Sequence, residues 1–279
     1  MPKLSIITVN LNNKAGLIDT AQSVVAQTWT DYEWIIIDGG STDGSVEVIK
    51  EYADKTDKLV YWCSEQDGGI YQGMNKGIEK ASGEYCWFLN SGDYAYKNTT
   101  LSEIFANEFD EDIVYGDQMV FSNSIDGAGY KRIINYKKRL SVDFCLLNPV
   151  PQHQATLIKR ELFIKYGNYQ TDFQIIADRV FFMKVLFVEN ILYKYISVVF
   201  SVFDLSGISC ISSSKASLKE ERKRMLELLF PNNYRKIILK AYVLRFFLTI
   251  KAIIKNVLDK VFRYGIKKTV LYYLRKKEN

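Results

Sequence analysis

The run Glu84-Tyr85-Cys86-Trp87-Phe88-Leu89-Asn90-Ser91-Gly92-Asp93 decides how this chain folds. Tyr85 to Leu89 is apolar and aromatic, too short for a helix, and bounded by Gly83 and by Ser91-Gly92. Such a run reads as an inner strand of a mostly parallel sheet. Asn90 and Asp93 then fall at the carboxyl end of that strand, the edge where open α/β sheets bind ligands. A carboxylate there can hold a divalent cation against a diphosphate. The same four residues are also ordinary turn chemistry, and the local sequence leaves both readings open.

Working outward, the segments before this strand repeat one pattern. Lys3 to Asn10 reads as a strand and Lys14 to Gln27 as a helix, with Leu17, Ala21, Val24 and Val25 at helical spacing. Tyr32 to Ile37 is a second strand that ends on Asp38; Gly39-Gly40-Ser41-Thr42-Asp43-Gly44 then leads into a helix from about Ser45 to Ala53. Lys58 to Cys63 is a third strand, followed by Ser64-Glu65-Gln66-Asp67-Gly68-Gly69 and a helix from about Ile70 to Lys80. Strands alternating with helices of this length imply βαβ units with right-handed crossovers. Asn-Leu-Asn-Asn follows the first strand where a dinucleotide fold would carry G-x-G-x-x-G, and no Walker A loop is present, so nicotinamide and P-loop chemistry lack their signals.

Beyond about residue 116 the pattern loosens. Asp112 to Tyr115 reads as a short strand, Gln118 to Asn135 as a hairpin-like excursion, Ala155 to Lys159 as a strand, and Arg179 to Phe187 as an apolar helix preceded by Ala177-Asp178. The 279 residues, 48% hydrophobic, suffice for a large core without staples. Cys63, Cys86, Cys145 and Cys210 show no paired spacing, so neither a zinc site nor a disulfide framework is expected, and a reducing cytoplasm fits. No secretory leader and no membrane-spanning stretch is read in the sequence.

The net charge of +5 hides an asymmetry: Pro231 to Asn279 holds 13 Lys or Arg against Asp259 and Glu278, leaving 24 basic against 30 acidic residues before it. A body with a net charge of −6 argues against nucleic acid as partner and draws attention to the basic tail.

Four ordered stretches then carry a resemblance: Ile35-Ile36-Ile37-Asp38-Gly39-Gly40-Ser41-Thr42-Asp43-Gly44-Ser45, Ser64-Glu65-Gln66-Asp67-Gly68-Gly69-Ile70-Tyr71, Met74-Asn75-Lys76-Gly77-Ile78 and Phe88-Leu89-Asn90-Ser91-Gly92-Asp93. Together they resemble family 2 glycosyltransferases of the GT-A fold, of the type that builds bacterial capsular, exopolysaccharide or lipopolysaccharide sugars. The likeness continues more thinly at Gln152-His153-Gln154-Ala155 and Ala177-Asp178. It implies an α/β GT-A domain over residues 1–212, with a Rossmann-like nucleotide-sugar half (1–116) and an acceptor half (117–212) completing a mixed central sheet. A helical, basic region follows over 213–279.

By the same resemblance Asn10, Asp38, Ser41, Asp67, Asn75, Lys76 and Asn90 would line the donor, a nucleotide-diphosphate sugar. Asp93 would bind Mn²⁺ or Mg²⁺, His153 and Gln154 would meet the acceptor, and Asp178 would be the catalytic base. Three positions depart from the family pattern: Gly39 and Gln72, where relatives often carry aspartate, and Asn90-Ser91-Gly92-Asp93 in place of D-x-D. The Gln-x-x-Arg-Trp signature of processive synthases is absent, which implies one sugar per encounter.

Sugar transfer needs charge neutralised on the departing diphosphate, which a metal does as a Lewis acid, and a proton removed from the attacking hydroxyl, which a carboxylate does as general base. One base with in-line attack implies inversion. Simpler roles compete: Asp178 as a helix N-cap, Asp38 as a turn cap, His153 as a structural hydrogen-bonding residue, and Asn75 and Lys76 as a polar helix face. A catalytically silent protein that binds a sugar nucleotide or glycan is the alternative function.

In the tail, from Tyr234 to about Phe262, Lys236, Lys240, Lys251, Lys255 and Asp259 group on one side of a helix, with Ile237, Leu239, Phe247, Ile250 and Ile254 largely elsewhere. Such a helix suits an anionic membrane surface on the cytoplasmic side and an acceptor carried on polyprenyl diphosphate. A helix packed on the domain with its charged side in water is the competing reading.

Overall fold

A computed structural model describes residues 1–122, 130–136, 140–142, 145, 151–204 and 215–244, together with 246–247, 249–251, 254 and 258. The expected βαβ units are present. β1 (Leu4–Asn10), β2 (Tyr32–Asp38), β3 (Leu59–Ser64) and β4 (Tyr85–Phe88) alternate with α1 (Lys14–Val25), α2 (Ser45–Lys55) and α3 (Ile70–Lys80). All four strands are parallel, in the order β3-β2-β1-β4, with Asn10 opposite Asp38 and Asp38 opposite Ser64. Every residue of β1, β2 and β4 is buried, as the apolar runs require for strands covered on both faces.

The second half turns the sheet mixed. After β5 (Tyr94–Ala95) and α4 (Thr100–Phe105), β6 (Ile113–Ser122) pairs antiparallel with β7 (Tyr130–Ile134), the expected hairpin. β8 (Thr156–Lys159) lies antiparallel between β4 and β6, and β9 (Tyr193–Asp204) runs parallel to β6, giving the path β3-β2-β1-β4-β8-β6-β9-β5 with β7 beside β6. The sequence places a break at Gly116-Asp117. The strand instead continues through it with register shifts around Asp117, because Phe200 of β9 crosses so closely that a Cβ at Gly116 would stand 2.3 Å from its ring.

α5 (Arg160–Tyr166) and α6 (Ala177–Phe187) cover the sheet, and α7 (Lys215–Leu229) follows. Asp178 is not the N-cap of α6, which starts one residue earlier. The turn that leads into α6 is held from outside: Glu221 of α7 accepts hydrogen bonds from the backbone of Gln174, Ile175 and Ile176 at 2.9, 3.1 and 3.2 Å. Met225 and Leu226 of α7 are buried in the common core.

Residues 234–244 are helical, and their placement corrects the simple division into apolar and basic sides. Tyr234, Ile237 and Ile238 pack against the core. The opposite face is apolar too: Leu239, Tyr242, Val243, Phe246, Phe247 and Ile250 are exposed, with Leu239 at 65% and both phenylalanines at 62%. Arg235, Lys236, Lys240 and Lys251 are exposed beside them. Lys255, Asp259 and Cys210 lie outside the described residues. Among the described residues, no helix is long and apolar enough to cross a membrane.

Candidate active site

The carboxyl ends of β1, β2 and β4 lie side by side, and the side chains placed there are joined by hydrogen bonds. Asp38 closes β2 and is fully buried. Its Oδ1 accepts from Asn10 Nδ2 (2.7 Å) and Ser41 Oγ (2.6 Å); its Oδ2 accepts from the Ser41 and Gly40 backbone N–H (2.8 and 3.2 Å) and from Ser64 Oγ (2.6 Å). Burial pushes the Asp38 carboxyl up, and the hydrogen bonds from Ser41, Ser64 and Asn10 outweigh it, holding the group below its ordinary value. Five donors fill the roughly four lone-pair sites of a carboxylate, so Asp38 is fully engaged in organising the loop 39–44. Asn10 is buried beside it, and the Asn10 Oδ1 has no partner.

The turn after β4 is pinned from α1. Thr20 shares its one hydroxyl hydrogen among the carbonyls of Asp93 (2.7 Å), Gly16 (2.9 Å) and Asn90 (3.3 Å) and accepts from Gly92 N–H (3.1 Å). Asn13, the N-cap of α1, donates to the Ser91 carbonyl at 2.9 Å. Gly92 has φ of +100°, a conformation that a side chain resists, so glycine suits the middle position of this turn. Thr20 and Asn13 were not singled out from the sequence; capping propensity marks Asn13, but nothing local links Thr20 to a turn more than 70 residues away.

Asp93 is buried and accepts from Gln154 Nε2 at 3.1 Å. The amide oxygen of that same Gln154 is buried with no partner. His153, one residue earlier, meets Asn90 Nδ2 with its Nε2 (3.3 Å) and Asp178 Oδ2 with its Nδ1 (3.1 Å). Asn90 in turn accepts the Val9 N–H at 3.3 Å, which brings the path back beside Asn10 and Asp38. Asp38, Asp93 and Asp178, separated widely along the chain, are thereby brought into one hydrogen-bonded neighbourhood.

Asp178 sits in the first turn of α6, its side chain 18% exposed. Oδ1 accepts from the Arg179 N–H (2.8 Å) and from the Tyr71 hydroxyl (3.0 Å), whose single hydrogen is shared with the Ile175 carbonyl at 2.9 Å, and Oδ2 accepts from His153. Burial raises this carboxyl; His153, the Arg179 N–H and Tyr71 lower it further, and the group rests below its ordinary value. Tyr71 is itself driven well above the usual tyrosine range, first by burial and then by the Asp178 charge, so it donates at any physiological pH. Arg179, beside the carboxylate, is pulled down by burial to about 10.

The other expected donor residues are differently engaged. Asp67 accepts the Gly69 N–H at 2.9 Å, and its carboxylate lies 3.4 Å from where a Cβ at Gly39 would stand. An aspartate at 39 would set two carboxylates close together. Gln72 accepts the Gly68 N–H at 2.9 Å and stiffens the same loop. Asn75 exchanges two hydrogen bonds with the Tyr169 backbone (2.9 and 3.0 Å), and Lys76 pairs with Glu65 at 2.8 Å. Both polar groups of Asn75 are thereby engaged in clamping the loop before α6.

The sequence profile described as glycosyl transferase family 2 matches residues 5–167, more than half of the chain. This chain belongs to glycosyltransferase family 2. The family 2 enzyme is 28% identical over 253 residues to the PGL/p-HBAD biosynthesis glycosyltransferase of Mycobacterium bovis, covering 88% of this chain and 95% of that protein. Its fold is that of S. aureus TarS 1–349 in complex with UDP (TM-score 0.62, 18% identity, 80% of this chain and 64% of that one). It also matches the mannosyltransferase PcManGT of Pyrobaculum calidifontis in complex with GDP-Man and Mn²⁺ (TM-score 0.55, 16% identity, 81% and 61%). The chain thus spans less than two thirds of either of these structures. The mixed sheet described above is the GT-A-like arrangement these neighbours share.

Proposed function

We propose that this glycosyltransferase moves a single sugar from a nucleotide diphosphate to a glycan or lipid-linked acceptor of a bacterial surface polysaccharide or glycolipid, with inversion and with Asp178 as the base. The observation that carries this reading is the chain of hydrogen bonds placing Asp93 and Asp178 on the two sides of the His153-Gln154 turn. The donor would lie across the ends of β1 and β2, its nucleoside against Asn10, Ser41 and Asp67 and its diphosphate toward Asn90 and Asp93. UDP, UDP-linked and GDP-linked sugars are the donor classes to try, since TarS and PcManGT are complexed with UDP and GDP-Man.

The residues present fit a Mg²⁺ or Mn²⁺ ion held mainly by substrate. Asp93 offers a carboxylate, and the unpartnered amide oxygen of Gln154 offers a second hard oxygen donor. Among the described residues, no group of three or more His, Cys, Asp or Glu could hold a metal by itself. Such ions commonly bind through one or two carboxylates plus substrate phosphates. When bound, the metal neutralises charge on the leaving diphosphate. Asp178, ionised at neutral pH, accepts the proton of the acceptor hydroxyl at Oδ2, where the remaining lone pair lies; Tyr71 and Arg179 occupy Oδ1. A thermal-shift screen of nucleotide sugars with Mn²⁺, followed by NMR of the anomeric configuration of the product, tests the proposal; a retained anomer would overturn single-displacement chemistry.

An acceptor on a lipid carrier accords with the outward apolar face of residues 239–250 and the cations beside it. Its occupant is proposed to be the anionic surface of the cytoplasmic membrane: aromatic and aliphatic side chains enter the acyl boundary while Lys and Arg meet headgroups.

A further inference from the structure

We propose that His153 is a positioning residue for Asp178: a neutral imidazole, protonated at Nδ1, that fixes the carboxylate through Oδ2 and ties it to the donor-side turn at Asn90. The hydrogen bonds determine which nitrogen carries the proton. Val9 N–H donates to Asn90 Oδ1 at 3.3 Å, so the part of that amide facing the ring is the NH₂ group, which only donates. His153 Nε2, 3.3 Å from it, must accept. A neutral imidazole whose Nε2 bears a lone pair carries its hydrogen on Nδ1, and Nδ1 faces Asp178 Oδ2 at 3.1 Å.

The ring has little freedom to choose otherwise. His153 opens a single 3₁₀ turn closed by Ala155 N–H on the Gln152 carbonyl at 2.9 Å, and it stands edge-on to Phe88 with centroids 6.2 Å apart. Trp87 Nε1 holds the Gln154 carbonyl at 2.8 Å, locking the same turn to β4. On the other side of the carboxylate, Tyr71 and the Arg179 N–H take Oδ1. Three donors therefore fill three of the roughly four acceptor positions, and the fourth, on Oδ2 beside the imidazole N–H, is where a hydroxyl can approach. The imidazole thus sets both the rotamer of the carboxylate and the side from which a proton arrives. Only the functional consequence rests on Asp178 being the base; the geometry of the ring does not.

His153 is the sole histidine of the chain, so the full-length protein labelled with ¹⁵N-histidine reports on this ring alone. The expected spectrum at neutral pH shows a protonated, pyrrole-type Nδ1 and a pyridine-type Nε2. Asp178→Asn should move the Nδ1 signal and Asn90→Ala the Nε2 signal. A proton on Nε2, or two tautomers in exchange, would overturn the assignment. The second measurement follows the Asp178 carboxyl carbon by ¹³C NMR, identified by its loss in Asp178→Asn. With Tyr71, Tyr169 and Arg179 left in place, His153→Asn, whose amide reaches the Nδ1 position, should keep the titration midpoint, whereas His153→Gln and His153→Ala should move it upward. Equal behaviour of Asn and Gln variants would reduce His153 to a packing residue. Neither measurement needs a sugar donor, so its failure is separable from a failure of the transfer reaction.

Discussion

The hydroxyl of Tyr71 donates to Asp178 Oδ1 at 3.0 Å, joining the first turn of α3 to the first turn of α6 across 107 positions of sequence. The residue that follows the Asp67-Gly68-Gly69-Ile70 loop is thereby a direct partner of the proposed base. Because this hydrogen bond lowers the Asp178 carboxyl, its loss raises it. Tyr71→Phe should shift the acid limb of the kcat profile to higher pH while leaving donor affinity unchanged. An unmoved acid limb would show that the contact does not reach the reacting carboxylate.

Asp178→Asn keeps the size of the side chain and removes its ability to take a proton. Turnover should fall by about 10²–10⁴-fold, the range for a lost general base, with nucleotide binding retained. Full turnover in this variant would assign the proton to another group.

Asp93→Ala should abolish the part of nucleotide binding that depends on Mn²⁺. In a thermal-shift assay, a nucleotide at 100 times its Kd stabilises the wild type by about 2.7 kcal/mol, and the variant should lose most of the Mn²⁺-dependent part. Gln154→Ala should weaken the same response, since it removes both the donor to Asp93 and the unpartnered oxygen. A full Mn²⁺ response in Asp93→Ala would place the ion elsewhere.

Glu221→Ala leaves three N–H groups in the turn before α6 without their acceptor. The expected loss is about 1–3 kcal/mol, read as a lower midpoint in urea unfolding. The carboxyls of Asp38 and Asp178 add a pH dependence of definite sign. Both are held below their ordinary value in the folded state, so the stability they contribute is fully present above the unfolded carboxylate value near 4 and is lost as pH falls through the folded value. Asp38→Asn should therefore flatten the acid side of the stability profile; an unchanged slope would mean that its five hydrogen bonds do not favour the charged form.

Replacing Phe246 and Phe247 together by serine should reduce flotation with vesicles containing anionic lipid and leave the folded domain intact, because both rings face outward. Zwitterionic vesicles should bind the wild type less. A dimer that the double substitution abolishes, with no vesicle binding by the wild type, would assign this face to a second copy of the chain.

The run Tyr85 to Leu89 and the three β-α units before it were legible because burial on both faces imprints continuous apolar runs on parallel strands, and intervening helices imprint their own period. Asn10, Asp38 and Asp93 could be placed at strand ends for the same reason, since a strand end is a local property. β9 was not anticipated, and β6 was cut short at Gly116, because pairing in the second half depends on partners far away in sequence and on a ring, Phe200, that no local pattern announces.

What the sequence determined by itself was the alternation of elements and the list of polar side chains that interrupt it. What the tertiary structure decided was their occupation: Asn75 was turned to Tyr169, Asp38 was saturated by Asn10, Ser64 and its own loop together, Tyr71 and His153 were brought to Asp178, and Glu221 was sent to the turn before α6. A side chain's residue type fixes how many hydrogen bonds it can make, but only the packing of distant segments fixes who receives them.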